Sequence, residues 1–341
     1  VYSSDVIVSV SMNLLTYIVI GRIPFLFSYG KECRHAFMYS VALLIINAFF
    51  PAYFLWQFVL CLIGCVGIDY RKILKAYVIT MGVAISFTIF ASLTGAANHL
   101  VFWDKGDIRD SFGVCYPTDF SSYLFFLLLF FWIAWEKLPL WITTILCVIT
   151  LFVVNVYAKS DTCTICCLLL LLILGMFAFG RWIVRKKPQC IKYKWVIDIP
   201  LQFAFPLCAA LMFLLIFGYA QGVSFFEKIN QMLTGRLNLA YVAIEKYGLS
   251  LGGVAIRQAG NGFTTFPVYN YEFVDSSYPL ILLTRGILFF AFLSILCVKM
   301  SANAVKNKDY RLAFGLALIA VHALSEHHFT EFHYNLLLIM P

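Results

Sequence analysis

The sequence has little charge. Charged residues make up 12% of its 341 residues, and hydrophobic residues make up 62%. Soluble globular chains are usually about 25% charged and about 45–50% apolar. The apolar residues form long runs such as Leu168–Leu174, whereas a membrane β-barrel would show short segments of alternating polarity. The composition therefore excludes an ordinary soluble protein and predicts an all-α, polytopic helical membrane protein.

Motifs for nucleotides and cofactors are also missing. The glycine-rich segment 251–262 has the spacing of neither a P-loop nor a dinucleotide fingerprint. The pair Cys163 and Cys166 has no second pair of metal ligands, and most of the eleven cysteines lie in apolar runs, where cysteine packs as a small hydrophobe. Cys115 is the exception, because it lies in an external loop. No cofactor is expected.

The net charge of +8 does not indicate a nucleic-acid partner, because lysines and arginines concentrate in the connections on one side of the predicted spans. The positive-inside rule makes this side cytoplasmic, with segment 181–194 as its strongest anchor. The chain starts at Val1 and stops in an apolar run, so we expect a fragment truncated at both ends. Residues 1–341 are predicted to form a single membrane domain with about ten or more spans, at 6–26, 36–50, 52–68, 74–94, 120–135, 138–157, 162–183, 195–220, 279–299 and 312–326.

Two extracytoplasmic connections, 95–119 and 222–278, combine arginines, carboxylates and aromatic residues. A connection as long as 222–278 is usually functional when it is not disordered. Short helices are predicted within it, around 223–233 and 235–247, with Thr234 capping the second. Arginines and carboxylates that gather on the outer face of a membrane protein suggest an anionic, lipid-linked substrate.

Four arginines are candidates for binding a diphosphate. Arg236 would lie at a helix N-terminus, where backbone amides add to its positive charge. The alternative is an arginine that reaches lipid headgroups. Arg257 lies among glycines that permit close backbone approach, and Arg109 lies in the first outer connection. Arg285 lies about two turns inside a span, where an arginine is costly unless it faces protein or water; a structural pairing with Asp275 or Glu326 is the alternative.

The segment from His322 to His333 is rich in histidine and glutamate. His-Glu-x-x-His, the zinc motif, is absent, so no metal is expected. General-base chemistry is the better use, with Glu326, His327 or His328 as the base. Asp275, Tyr271 and Tyr278 are candidates for sugar binding, although packing of the loop onto the membrane is the alternative for its aromatic residues.

Four motifs in this order resemble those of Wzy-type polysaccharide polymerases in the O-antigen polymerase/ligase superfamily, and most closely the exopolysaccharide and capsule polymerases. They are Arg109–Pro117, Thr234–Arg236, Asp275–Tyr278 and the tail 326–333. Family members often show an arginine eleven residues before a glycine, and the interval from Arg236 to Gly248 is one residue longer.

The resemblance implies a GT-C-like fold and metal-independent glycosyl transfer at the outer face of the bacterial cytoplasmic membrane. The donor and acceptor would be polyprenyl-diphosphate-linked glycans, with membrane lipid, a flippase and a chain-length regulator as partners. Arg236 and Arg257, then Arg109 and Arg285, would bind the diphosphate. A flippase for lipid-linked oligosaccharides is the main alternative; another ligase of the superfamily and a membrane scaffold are the others.

Overall fold

The computed structural model describes residues 53–104, 106–186, 195–260 and 271–339, together with scattered residues between 30 and 45. From residue 53 onward this part of the chain is mostly helical. Its α-helices are α1 (Tyr53–Cys65), α2 (Tyr70–Leu93), α3 (Pro117–Ala134), α4 (Leu140–Val153), α5 (Asp161–Lys186), α6 (Trp195–Gln202), α7 (Ala204–Ala220), α8 (Ser224–Met232), α9 (Arg236–Tyr247), α10 (Ser277–Lys306) and α11 (Tyr310–His322).

Among the described residues, five helical segments are long and apolar enough to cross a membrane: α2, α3, α5, α10, and α4 extended by a π-helical turn to Ala158. The pair α6 and α7, bent by 66°, makes a sixth if it counts as one span. Helices α1 and α11 have only 13 residues each. Predicted span 6–26 and most of 36–50 lie outside the described residues. The count of ten or more spans is therefore not confirmed.

The described chain divides into two compact units. In the first, α1 contacts the short 3₁₀ turn Leu336–Ile339. The second, Leu74–Asn335, has α3 near its centre, in contact with α4, α5 and α11. Phe125, Phe126 and Trp132 of α3 are fully buried, as expected for an apolar helix that is surrounded on all sides. All the functional residues discussed below belong to this second unit.

The segment 95–119, the first of the two predicted outer connections, contains a β-hairpin that the all-α prediction did not include. Strand β1 (Val101–Asp104) pairs antiparallel with β2 (Asp107–Asp110). Gly106 in the tight turn has φ of 88°, a conformation that glycine adopts without a steric penalty. The hairpin buries Phe102 and Arg109 while Trp103 is exposed, following the two-residue alternation of a strand. It fixes Arg109 next to the end of α4.

The segment 222–278, the second predicted outer connection, contains the two predicted short helices, as α8 and α9. The prediction that Thr234 caps α9 is wrong, because Gly235, with φ of 86°, occupies the N-cap position. The amides of Leu237 and Asn238 instead donate to the side-chain oxygen of Asn230 in α8, both at 3.1 Å. A side chain from the preceding helix thus satisfies the first turn of α9, which carries Arg236.

Residues 250–254 of the segment 222–278 are joined to α10 by backbone hydrogen bonds. Helix α10 is broken at Gly286, which has φ of 80°. Across the break, Val254 donates to the carbonyl of Leu283 at 2.8 Å, and Ser250 accepts from Ile287 at 3.0 Å. A Cβ atom at Gly253 or at Gly286 would overlap the opposite backbone. The predicted close approach of a glycine backbone therefore occurs, but against a helix.

Candidate functional site

The second unit has a cavity of about 600 Å³ where the segments 95–119 and 222–278 meet the ends of the helices. Polar side chains come from the hairpin, from the starts of α5 and α9, and from the segments flanking α10 and α11. The charged and polar residues of this lining are Asp107, Arg109, Tyr116, Thr118, Lys159, Ser160, Asp161, Thr162, Thr234, Arg236, Tyr271, Asp275, Ser325 and Glu326.

Arg236 joins three walls of this cavity. One terminal nitrogen, Nη2, lies 3.3 Å from Oε1 of Glu326, and the other, Nη1, donates to the hydroxyl of Thr162 at 3.2 Å. Its Nε lies 3.6 Å from Oδ2 of Asp275. The arginine side chain is 16% exposed and that of Glu326 only 1% exposed. The guanidinium therefore faces the cavity and contacts two carboxylates.

The charges of Arg236, Glu326 and Asp275 strongly affect one another. Burial alone would lower the pKa of Arg236, but the carboxylates of Glu326 and Asp275 raise it above the ordinary value, so the guanidinium stays charged. Burial raises the pKa of Asp275 to about 6, against the opposing effect of Arg236. A buried carboxyl that titrates within reach of neutral pH is a frequent property of functional sites.

The segment Asp275–Tyr278 determines where Glu326 lies. The Ser277 hydroxyl donates to the carbonyl of Glu326 at 2.5 Å and accepts from the amide of Phe329 at 3.2 Å. The Tyr278 hydroxyl donates to the carbonyl of Ala320 at 2.8 Å. Ser277 and Tyr278 are both fully buried. This segment thus fixes the chain around Glu326 opposite Arg236, a positioning role for Ser277 that sequence reasoning missed.

The lining carries two more cations, Arg109 and Lys159. Nε of Arg109 donates to the carbonyl of Ala158 at 3.0 Å, and its guanidinium lies 5.6 Å from the centre of the Tyr116 ring. Lys159, which has a positive φ of 47°, pairs with Asp107 at the rim. Sequence reasoning did not select Lys159, although it is a cation between two apolar runs on the predicted outer side.

The structure brings five of the predicted site residues together and leaves five out. Arg109, Arg236, Tyr271, Asp275 and Glu326 line the cavity, whereas Arg257, Arg285, Tyr278, His327 and His328 do not.

The five predicted site residues outside the cavity lie in several different places. Arg257 is exposed, and its amide donates to the Tyr247 hydroxyl. Arg285 precedes the break in α10. The proposed sugar contact of Tyr278 must be corrected, because its buried hydroxyl already donates to a backbone carbonyl of α11. The two histidines face a different cavity.

This second cavity, of about 360 Å³, is lined by Val114, Cys115, Asp119, Tyr123, His327, His328, Glu331, His333 and Tyr334. Helix α11 ends at His322, and His328–Thr330 forms a 3₁₀ turn. Nε2 of His327 lies 3.8 Å from Oε1 of Glu331 across this compact turn.

His327 and His328 are in different electrostatic states. Burial and the neighbouring charge of His328 lower the pKa of His327 to about 4. Burial would also lower the pKa of His328, but contacts with Asp119 and Glu331 raise it to about 9. Around neutral pH, His327 is therefore neutral and His328 is charged, so His328 has no free lone pair with which to act as a base.

The geometry thus defines a helical protein, with five or six described segments able to cross a membrane, that carries a cavity of mixed charge at the helix ends. The chain matches no protein-family model, no curated protein and no solved structure.

We expect Asn230→Ala to lower both stability and any activity that depends on Arg236, because it leaves two amides of α9 without their acceptor. Loss of such a cap costs about 1–2 kcal/mol. Thermal unfolding of the purified protein in detergent measures the effect. Asn238→Ala is the matched control, since its side chain is exposed on α9; equal destabilisation by both changes would contradict the capping role of Asn230.

Proposed function

We propose that this protein polymerises polyprenyl-diphosphate-linked oligosaccharide repeat units into exopolysaccharide or capsular polysaccharide, at the outer face of the bacterial cytoplasmic membrane. One observation carries the proposal: Arg236 lies partly buried between Glu326 and Asp275 in a cavity lined by further cations. A ligand that offers an anionic group next to several hydroxyls fits such a lining. A lipid-diphosphate-linked glycan has both.

In the proposed reaction, a hydroxyl of the acceptor glycan attacks the anomeric carbon of the donor. The new glycosidic bond forms as the bond from the anomeric carbon to the lipid diphosphate breaks. The diphosphate leaves with the electron pair of that bond, and Arg236 stabilises its developing charge. Glu326 accepts the proton of the attacking hydroxyl. The other predicted bases, His327 and His328, are less well supported, because they line the second cavity.

The remaining lining residues fit the other parts of such a substrate. Arg109 and Lys159 offer further positive charge in the same cavity. Asp275 and Tyr271 lie beside Arg236 and suit sugar hydroxyls and ring faces, as the sequence predicts. Met232, which is 80% exposed, lies at the edge of the cavity and offers an apolar surface to the polyprenyl chain. Because cations meet the diphosphate charge, the transfer needs no metal in this cavity.

The position of the charges favours the polymerase over the flippase. Arg236 begins α9, Asp275 precedes α10 and Glu326 follows α11, so the charged lining is confined to helix ends and connections. A flippase would instead be expected to place ionisable groups at mid-depth along its substrate path.

The direct test is to incubate the purified chain with synthetic lipid-diphosphate-linked repeat units and to separate the products by gel and mass spectrometry. We expect a ladder of polymers, with one lipid diphosphate released for each bond formed. The same protein in proteoliposomes with a fluorescent lipid-linked oligosaccharide tests the alternative. Transbilayer movement of the probe without any new glycosidic bond would replace the polymerase proposal with the flippase.

A further inference from the structure

We propose that Asp119, His327, His328 and Cys115 form a binding site for a divalent ion of the zinc class, separate from the Arg236 cavity. Asp119, His327 and His328 each offer a ligand atom, and these three atoms all lie within 4.8 Å of one another. They face the second cavity, and Cys115 lines the same space. The site does not depend on the glycosyl-transfer proposal.

The two imidazoles are oriented as metal ligands. His328 is 1% exposed, and its Nε2 lies 3.4 Å from Oδ1 of Asp119. The buried Nδ1 of His327 makes no hydrogen bond to any described residue, and Nε2 of His328 has its ion-pair contact with Asp119 but no hydrogen bond. A buried polar atom without a hydrogen bond costs free energy, and coordination of an ion is a recognised way to satisfy one. Two such nitrogens beside a carboxylate therefore indicate a common ligand.

Glu331 supplies the outer support that metal-binding histidines usually have. Its Oε2 lies 2.8 Å from Nδ1 of His328, on the side of the ring away from Asp119. A carboxylate in this position orients the ring, fixes its tautomer and makes the other nitrogen a better ligand. The order carboxylate, histidine, ion is the arrangement found around zinc.

Cys115 completes a set of four. Its Sγ lies 2.5 Å from Oδ2 of Asp119, so a small movement would bring it onto an ion held by the other three groups. One sulfur, two nitrogens and one oxygen suit four-coordinate zinc, whereas magnesium and calcium prefer oxygen ligands. When the ion binds, Cys115 gives up its thiol proton and His328 gives up its Nε2 proton. The alternative is an ion-pair network in which charged His328 bridges Asp119 and Glu331.

Binding of Co²⁺ distinguishes the metal site from the ion-pair network. The purified chain in detergent is treated with a chelator, the chelator is removed, and Co²⁺ is added while the absorption spectrum is recorded. We expect one equivalent of Co²⁺ to bind, with the visible bands of a four-coordinate ion and a thiolate charge-transfer band in the near ultraviolet. Zn²⁺ should displace it. A spectrum that never differs from that of Co²⁺ in the same buffer would leave only the ion-pair network.

Variants then assign the ligands. Cys115→Ser should remove the charge-transfer band. Glu331→Gln removes only the outer support of His328 and should lower the affinity for the ion by about 10- to 100-fold. His327→Gln removes a ligand and should lower the affinity by more than that. The matched control is His333→Gln, since His333 is 56% exposed and its ion-pair contact is with Glu331, not with Asp119. Thermal unfolding checks that each variant is folded. Binding that is unchanged in folded Cys115→Ser and His327→Gln would overturn the site.

Discussion

Arg236→Ala is expected to abolish polymer formation, and Arg236→Lys to leave only a small fraction of it. The guanidinium makes contacts in three directions, with Glu326, Asp275 and Thr162. Lysine keeps the charge but loses the planar arrangement of donors that binds a diphosphate with two hydrogen bonds. Loss of a charged contact to the transition state typically lowers the rate by about 100- to 1000-fold. Initial rates with lipid-linked repeat units measure the effect.

Arg257 provides the control, because the same sequence reasoning selected it and the structure places it outside the cavity, exposed to solvent. Arg257→Ala should retain most of the activity. The amount of each variant in the membrane must be measured, since the loss of a buried ion pair also affects folding. If folded Arg236→Ala makes polymer at the normal rate, the arginine has only a structural role and the cavity is not the reaction site.

The second large effect is expected for Glu326→Gln, which keeps the size of the side chain and its contact with Arg236 but removes its ability to accept a proton. Loss of a general base usually lowers the rate by roughly 100- to 10,000-fold. The reduction should appear in kcat more than in KM, because glutamine can still bind the acceptor hydroxyl. Initial rates measured over a range of acceptor concentrations separate the two constants.

Asp275→Asn is the comparison for Glu326, since Asp275 also contacts Arg236 but is assigned to sugar binding. It should raise KM for the glycan with a smaller change in kcat. A folded Glu326→Gln variant with normal kcat would exclude Glu326 as the base, and a large kcat loss in Asp275→Asn alone would transfer that role to Asp275.

Composition and periodicity predict much of the fold correctly. Long apolar runs predict the helices, and the segments 223–233 and 235–247 appear as α8 and α9. Charge placement also selects Arg236, Asp275 and Glu326, because a charge in an apolar chain is costly unless it has a use, and these three residues line one cavity. The helix predictions succeed because they depend on local chemistry and on the membrane as a solvent.

Features that depend on distant partners could not be predicted from local patterns. Asp119 contacts His328 only because α3 packs beside the end of α11. These two residues are too far apart in the sequence for a spacing motif to predict their contact. The acceptor for the first turn of α9 is Asn230, in the previous helix, rather than the adjacent Thr234. Similarly, Tyr278 has the composition of a sugar-binding residue, but the packing of α10 on α11 turns its hydroxyl inward.

The break in α10 at Gly286 makes this helix dependent on the segment 222–278 for some of its backbone hydrogen bonds. The carbonyl of Leu283 and the amides of Ile287 and Leu288 have hydrogen-bond partners in the segment 250–254. If that segment were removed, these groups would lie unsatisfied in an apolar helix, where each costs several kcal/mol if lipid surrounds it. Residues 222–278 are therefore not a soluble module that could be produced alone or exchanged between proteins; the connection and α10 must fold together.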